Sequence, residues 1–285
     1  MIMPDFSQRF HWETLPVRGA LCRLDETYGR VLRDFQGSPA VARLMGEILA
    51  GTALLATTQS SYERLIVQAQ SQGALRLLVA EISQSGGLRA YARWQEGEPV
   101  DLATLPGALL AITVDPGLDR ERYQGLVTLR DTVAESLNAY FAESEQSPAF
   151  FRLMADPQSH QAAGYFVQRL PGVMDPADWQ LLTRFLAVGP DAALFNMAPE
   201  DLLPQAFPGE GVRLFPPQAL RFSCSCSRQR VADMLRALGQ EEVEETLEEQ
   251  GVISVTCEYC RESYRFEASD VAMLFKEDTD GAPLH

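Results

Sequence analysis

The spacing of apolar and polar positions divides the chain into three stretches. In the first, apolar residues recur from Val17 to Leu24 as on a strand with one buried face. Ser38 and Pro39 read as a helix start, a capping hydroxyl followed by proline in the first turn. Val41, Leu44, Met45, Ile48 and Leu49 follow at helical spacing and give that helix one apolar face. Strand-like runs come next at Arg64 to Gln70, Ala74 to Ile82, Leu88 to Trp94 and Leu109 to Val114. Gly73, the pair Gly86 and Gly87, and Asp115, Pro116 and Gly117 punctuate them as turns. Asp131 is placed to cap a second helix in which Val133, Leu137, Tyr140 and Phe141 share a face. Phe150 to Met154 and Tyr165 to Leu170 predict further short strands. Strands outnumber helices and do not alternate with them regularly, which predicts an α+β core domain over residues 1–170 rather than a doubly wound sheet.

The second stretch, residues 171–223, holds eight of the seventeen prolines: Pro171, Pro176, Pro190, Pro199, Pro204, Pro208, Pro216 and Pro217. Proline at this density keeps helices short. The stretch is nonetheless apolar, with Trp179, Leu181, Leu182, Phe185, Leu186, Leu194, Phe195, Leu202, Leu203, Phe207, Leu214 and Phe215. A disordered tether is poor in such residues. The pattern predicts a linker region of short helical pieces that folds only by lying on something else.

The third stretch, residues 224–285, is a small module. Ser227 can cap a helix from Arg228 to Leu238, which Gly239 ends. A Glu-rich helix from Glu241 to Gln250 closes at Gly251, and two short strands, Val252 to Thr256 and Glu262 to Phe266, flank a turn at Cys257 to Cys260. Ser269 is placed to cap a last helix carrying Val271, Leu274 and Phe275. The six glutamates of the Glu-rich helix read as a solvated face.

Charge and composition narrow the function. The formal charge is −15, so the chain repels phosphate backbones and anionic lipid, and neither nucleic acid nor a membrane is the expected partner. No basic stretch followed by an apolar run opens the sequence, and no eighteen apolar residues run together, so a cytoplasmic protein is expected. In that compartment thiols stay reduced. Paired cysteines there favour metal or redox chemistry over a disulfide framework. The three histidines, His11, His160 and His285, are far from the cysteines in sequence. We find no nucleophile triad, paired catalytic carboxylates, phosphate loop or dinucleotide glycine fingerprint, and no catalytic activity is expected.

The chemistry concentrates in the four cysteines of the module. Cys224 and Cys226 are separated by one residue, Cys257 and Cys260 by two, and thirty residues lie between the pairs. Thiolates presented two by two from tight turns suit one closed tetrahedral zinc ion per chain, with no position left for a catalytic water. The module has few large apolar residues, and a core of that size supplies about 3–5 kcal/mol. Structural zinc in small peptides contributes on the order of 10–16 kcal/mol, so the metal-free module is expected to be largely unfolded. Zinc holds sulfurs at about 2.3 Å and therefore roughly 3.8 Å from one another, whereas a disulfide needs about 2.05 Å. Closing either pair removes two ligands. Cys257 and Cys260 have ordinary C-x-x-C spacing, and Cys224 with Cys226 would close a smaller, more strained ring. Spacing alone leaves open whether the site is a structural staple or a redox switch. Cys22, alone in its alternating run, reads as a small buried hydrophobe.

Here the sequence resembles a known family over essentially its whole length. Phe222, Cys224, Cys226, Ser227 and Arg230, then Leu235 to Gly239, Cys257 to Cys260, Tyr264 and Phe266 are similar to the 33-kDa heat-shock protein family of redox-regulated bacterial chaperones. Tyr140, Phe141, Ser144, Glu145 and Gln146, and the run from Gly164 to Pro171 with Gln168 and Leu170, are similar to further motifs of that family. The chain departs from it at Ala163, where the family often has a glycine beside Gly164. The resemblance implies a holdase that needs no ATP, off when zinc binds all four reduced cysteines. It implies that oxidation under unfolding conditions forms Cys224–Cys226 and Cys257–Cys260 disulfides, expels zinc, disorders the linker and exposes surface for unfolding client proteins. It also implies a homodimer on activation. A binding module with a purely structural zinc ribbon is the alternative, and a thiol oxidoreductase a weaker one that explains neither the second cysteine pair nor the apolar linker.

Overall fold

The computed structural model describes residues 4–118, 120–172, 174–188, 191–206 and 211–276, and the chain divides into two compact units between Ser223 and Cys224. Pro190, Phe207, Pro208 and His285 lie outside the described residues. The first unit runs β1 (Phe6–Trp12), β2 (Val17–Arg23), α1 (Asp25–Val31), α2 (Pro39–Ala56), β3 (Arg64–Gln70), β4 (Leu75–Ser83), β5 (Gly87–Trp94), β6 (Leu109–Asp115), β7 (Tyr123–Thr128), α3 (Val133–Glu143), β8 (Ala149–Asp156) and β9 (Gln161–Arg169). It continues through α4 (Pro176–Ala187), α5 (Asp191–Asn196), α6 (Pro199–Ala206), β10 (Val212–Leu214), β11 (Gln218–Ala219) and β12 (Arg221–Phe222). One sheet has the order β10-β1-β2-β9-β8, with β11 also on β1; the other is β12-β5-β4-β3-β6-β7. All pairings are antiparallel except β12 on β5. The fold is α+β.

Helix α2 packs against strands of both sheets, β2, β8 and β9 of one and β3, β4 and β5 of the other. Ser38 accepts a hydrogen bond from Val41 N and Pro39 occupies the first turn, as the sequence predicts. The single apolar face does not hold, however. Thirteen of the eighteen residues are buried, which is what a helix enclosed on nearly all sides requires. Small residues make the enclosure possible: a Cβ on Gly46 would stand 2.4 Å from Ala155 Cβ and 2.8 Å from the Tyr28 ring. By length and composition α2 could cross a membrane, but here it forms the centre of a protein core with Leu65, Val67, Leu78, Leu137, Phe151 and Phe166.

Several elements differ from the sequence pattern for identifiable reasons. Helix α1 has no capping side chain of its own. Its first N–H groups, from Asp25, Glu26 and Thr27, donate to the buried Asp5 carboxylate, about twenty residues upstream. Thr132, not Asp131, caps α3 and accepts from Glu135 N. Strand β7 is interrupted in pattern by Gly125, where a Cβ would meet the Tyr140 ring at 2.5 Å. Strand β9 starts at Gln161, earlier than apolar bulk suggests, because its first residues, Ala162, Ala163 and Gly164, are small and buried.

The linker region belongs to the first unit. Asp175 caps α4 through Ala177 N, with Pro176 in the first turn. Met174, Leu186 and Leu203, with half-buried Trp179 and Leu182, cover Phe6, Phe10, Trp12, Val17, Leu21 and Val167 of β1, β2 and β9. Sheet side chains also reach linker carbonyls. Arg152 and Tyr165 donate to Leu186 O at 3.0 and 2.6 Å, closing the end of α4. Arg23 donates to Leu194 O at 2.8 Å and to Met197 O, and Arg169 donates to Met174 O at 2.9 Å. Leu181, Phe185 and Val188 remain exposed.

The second unit contains α7 (Arg228–Leu238), α8 (Gln240–Gln250), the hairpin β13 (Ile253–Thr256) and β14 (Ser263–Phe266), and α9 (Ala268–Lys276). Ser227 caps α7 through Arg230 N, Gly239 at φ +101° separates α7 from α8, and Gly251 at φ +73° ends α8. Ser269 lies inside α9 rather than capping it; Asp270 instead accepts from Glu267 N. The core is small: Val231, Ala232, Leu235, Val243, Ile253, Phe266, Val271 and Leu274. Arg228 lies 4.3 Å over the Phe266 ring and pairs with Asp270 at 2.9 Å, so one cation covers the rim of that core.

Candidate metal centre

Two local structures present the four sulfurs. Cys224 and Cys226 lie in an irregular segment just before the Ser227 cap of α7. Cys257 and Cys260 occupy the turn between β13 and β14. That turn is closed by Cys257 N donating to Glu262 O and Arg261 N donating to Cys257 O, both at 2.9 Å, with Arg261 in the left-handed region at φ +60°. Cys224 Sγ lies 3.6 Å from Cys257 Sγ, and Cys226 Sγ lies 3.2 Å from Cys260 Sγ. All four sulfurs lie within 4.8 Å of one another and none is in a disulfide. Four sulfurs at this spacing could hold a metal ion: the two short separations lie just below the roughly 3.8 Å edge of a four-sulfur tetrahedron and are far too long for S–S bonds.

The electrostatics suit a cation. Burial of Cys260 raises its thiol well above the ordinary cysteine range, and its own hydrogen bonding to Cys226, Cys224 and Cys257 raises it further, while the Glu262 backbone opposes the shift. Without a positive ion four thiolates cannot crowd together; with one they can. The hydroxyl of Tyr264 donates to Cys226 Sγ at 3.2 Å, and that bond is the first cause that pushes the pKa of the phenol up. The family motif includes Tyr264, but its role at the sulfur depends on hairpin register and has no signal in spacing.

The other candidates lie elsewhere. Cys22 is fully buried in β2, donates to Ala50 O at 3.5 Å, and burial pushes its thiol up, so it is a poor thiolate. His11 in β1 stacks near Phe215, with ring centroids 5.6 Å apart. His160 stands between β8 and β9 at φ +56°.

The Hsp33 protein family model matches residues 5–267. The 33 kDa chaperonin of Azotobacter vinelandii is 40% identical over 291 residues, covering 98% of this chain and 97% of that protein. The 33 kDa chaperonin of Pseudomonas aeruginosa is 41% identical over 283 residues, covering 95% and 94%. The crystal structure of the 33 kDa chaperonin (heat shock protein 33 homologue) from Thermotoga maritima shares the fold, with a TM-score of 0.82 over 97% of this chain and 99% of that one at 24% identity. The chain therefore belongs to the Hsp33 family. Membership and the names of these relatives support a chaperone function rather than an enzymatic one.

Proposed function

We propose that this protein is a redox-regulated, ATP-independent holdase whose reduced, zinc-bound form is inactive. The observation that carries the reading is the convergence of two distant cysteine pairs within 4.8 Å, in a unit with a small apolar core, on a chain of the Hsp33 family. One zinc ion per chain, on Cys224, Cys226, Cys257 and Cys260, supplies the positive charge that lets the thiolates stay together. Oxidation first joins Cys257 to Cys260, the less strained ring, and then Cys224 to Cys226. The distances do not select this pairing, since Cys224 lies near Cys257 and Cys226 near Cys260; the resemblance to the Hsp33 family implies it, and ring strain bears on the order alone.

The linker is suited to release. Among its described residues, Met174, Leu186 and Leu203 are buried against the sheet while Leu181, Phe185 and Val188 stay exposed. Its attachment therefore depends on the sheet beneath and on anchorage at both ends. At the C-terminal end, β12 is tied to β5 through Ser223 N and Leu88 O at 2.9 Å, and Cys224 is the next residue. Unfolding of the module removes the anchor beyond that strand. Release uncovers Phe10, Trp12 and Leu21 on the sheet, and it frees the linker that carries the already exposed Leu181 and Phe185; both are apolar surfaces of the kind that bind unfolding clients. The reading includes a cytoplasmic location and dimerisation on activation, with no nucleic acid or membrane partner.

The test titrates zinc release with a chromogenic chelator while following aggregation of a heat-unfolding client. Peroxide at heat-shock temperature is expected to release one zinc per chain and suppress aggregation without ATP. Zinc release with no gain of suppression would favour a purely structural ribbon, and turnover of small disulfides an oxidoreductase.

A further inference from the structure

How long a zinc-bound thiolate resists an oxidant depends on what donates to its sulfur. Tyr264 stands on β14 opposite Val255, two residues before Phe266. The alternation that buries Phe266 in the module core puts the Tyr264 ring half-buried against that same core. From there its hydroxyl reaches Cys226 Sγ at 3.2 Å, across thirty-eight residues of sequence. The contact thus joins the hairpin that carries one cysteine pair to a sulfur of the other pair.

An O–H donated to a thiolate lowers the electron density that sulfur offers to an electrophile, and it fixes the sulfur where a metal needs it. Oxidation by peroxide begins when a thiolate attacks one peroxide oxygen, the O–O bond breaks and a sulfenic acid forms with loss of hydroxide. A second thiolate then attacks the sulfenic sulfur and displaces another hydroxide. One peroxide is reduced to two waters, after protonation, for each disulfide made. The sulfur with the donor is the slower nucleophile in the first step.

We propose that Tyr264 is a positioning residue that holds Cys226 in ligand geometry and slows its attack on oxidant. This rests on the reading of the site as a zinc-held redox switch. Tyr264→Phe keeps the ring and removes the donor. In the full chain it is expected to weaken zinc retention against a competing chelator by about 10-fold, and to raise alkylation of Cys226 relative to Cys257, measured by mass spectrometry on the zinc-bound protein. Val255→Ala loosens the facing strand without touching a sulfur and is expected to leave that ratio unchanged. Identical values in Tyr264→Phe and the unaltered chain, or equal changes in both variants, would overturn the proposal and make Tyr264 a packing residue. The unaltered chain gives a check that needs no variant: Cys226 should react more slowly than Cys257, and the reverse ranking overturns the proposal. Absence of zinc from the unaltered, reduced chain would instead remove the reading beneath it.

Discussion

The two compact units hold their order by different means. In the first, α2 is enclosed by two sheets, and Leu54, Leu65, Leu78, Leu137 and Phe166 are among many large side chains out of water. In the second, a handful of apolar residues is supplemented by four sulfurs within reach of one another. A thiol oxidant has nothing to act on in the first unit except the fully buried Cys22. In the second, four free cysteines lie together. Within one chain, large-scale hydrophobic burial thus sits in one unit and a cluster of thiols that could hold a metal in the other.

Removing the metal should produce the largest effect. Stripping zinc under reducing conditions, or replacing Cys257 with Ser, is expected to forfeit a contribution on the order of 10 kcal/mol to the second unit. Amide exchange should show α7, β13 and β14 losing protection while β3, β4 and β9 keep theirs. Retained protection in α7 would mean that the small core suffices alone.

A core truncation gives the reverse pattern. Leu54 is fully buried, and Leu54→Ala is expected to destabilise the first unit by about 2–5 kcal/mol. The zinc stoichiometry should be unchanged. Loss of zinc from this variant would show that the units do not fold independently.

The linker lies between these extremes. Arg23 is almost fully buried, and Arg23→Met leaves Leu194 O and Met197 O without their donor. A cost of about 1–3 kcal/mol follows for each group left unsatisfied. Limited proteolysis should cut residues 191–206 faster in the reduced variant than in the reduced parent, and client binding should need less heat after oxidation. An unchanged cleavage pattern would remove Arg23 from the linker's attachment.

Smaller still is a difference in pH slope. Burial raises the Glu47 carboxyl from 4.5 to about 7, with Arg43 opposing. Its folded value lies above its unfolded one, so its contribution is full below about pH 4.5 and is lost as pH rises through 7. Zinc binding to thiols releases protons and strengthens in the same direction. Melting of the first unit should therefore shift down from pH 5 to pH 8, and less so in Glu47→Gln, while zinc affinity rises. Equal slopes in Glu47→Gln and the parent would place the titration elsewhere. The smallest effect is expected from Cys22→Ser, which should leave zinc stoichiometry and oxidative response unchanged.

Sequence legibility followed the range of the forces involved. Ser38 and Pro39 announce α2 because capping is local, and the cysteine spacing announces a common site because ligand chemistry demands tight pairs. The full burial of α2 was not legible, since Gly46, Ala50 and Gly51 give no apolar stripe and their value lies in what approaches them. Helix α1 was hidden because its cap, Asp5, lies on the far side of two strands. The Tyr264 contact was hidden because it is a property of hairpin register. The carbonyl bonds of Arg23 and Arg152 were hidden because α4 and α5 must first lie on the sheet.

Control of the linker by the four sulfurs is read out by amide exchange over α4, α5 and α6. The reduced, zinc-bound chain is compared with peroxide-treated chain at heat-shock temperature, with zinc counted in each. Protection of the linker and of the second unit is predicted to disappear together as zinc leaves, while β3, β4 and β9 stay protected. A linker that keeps its protection after zinc is gone, or that has none while zinc is bound, would mean that the four sulfurs do not control it.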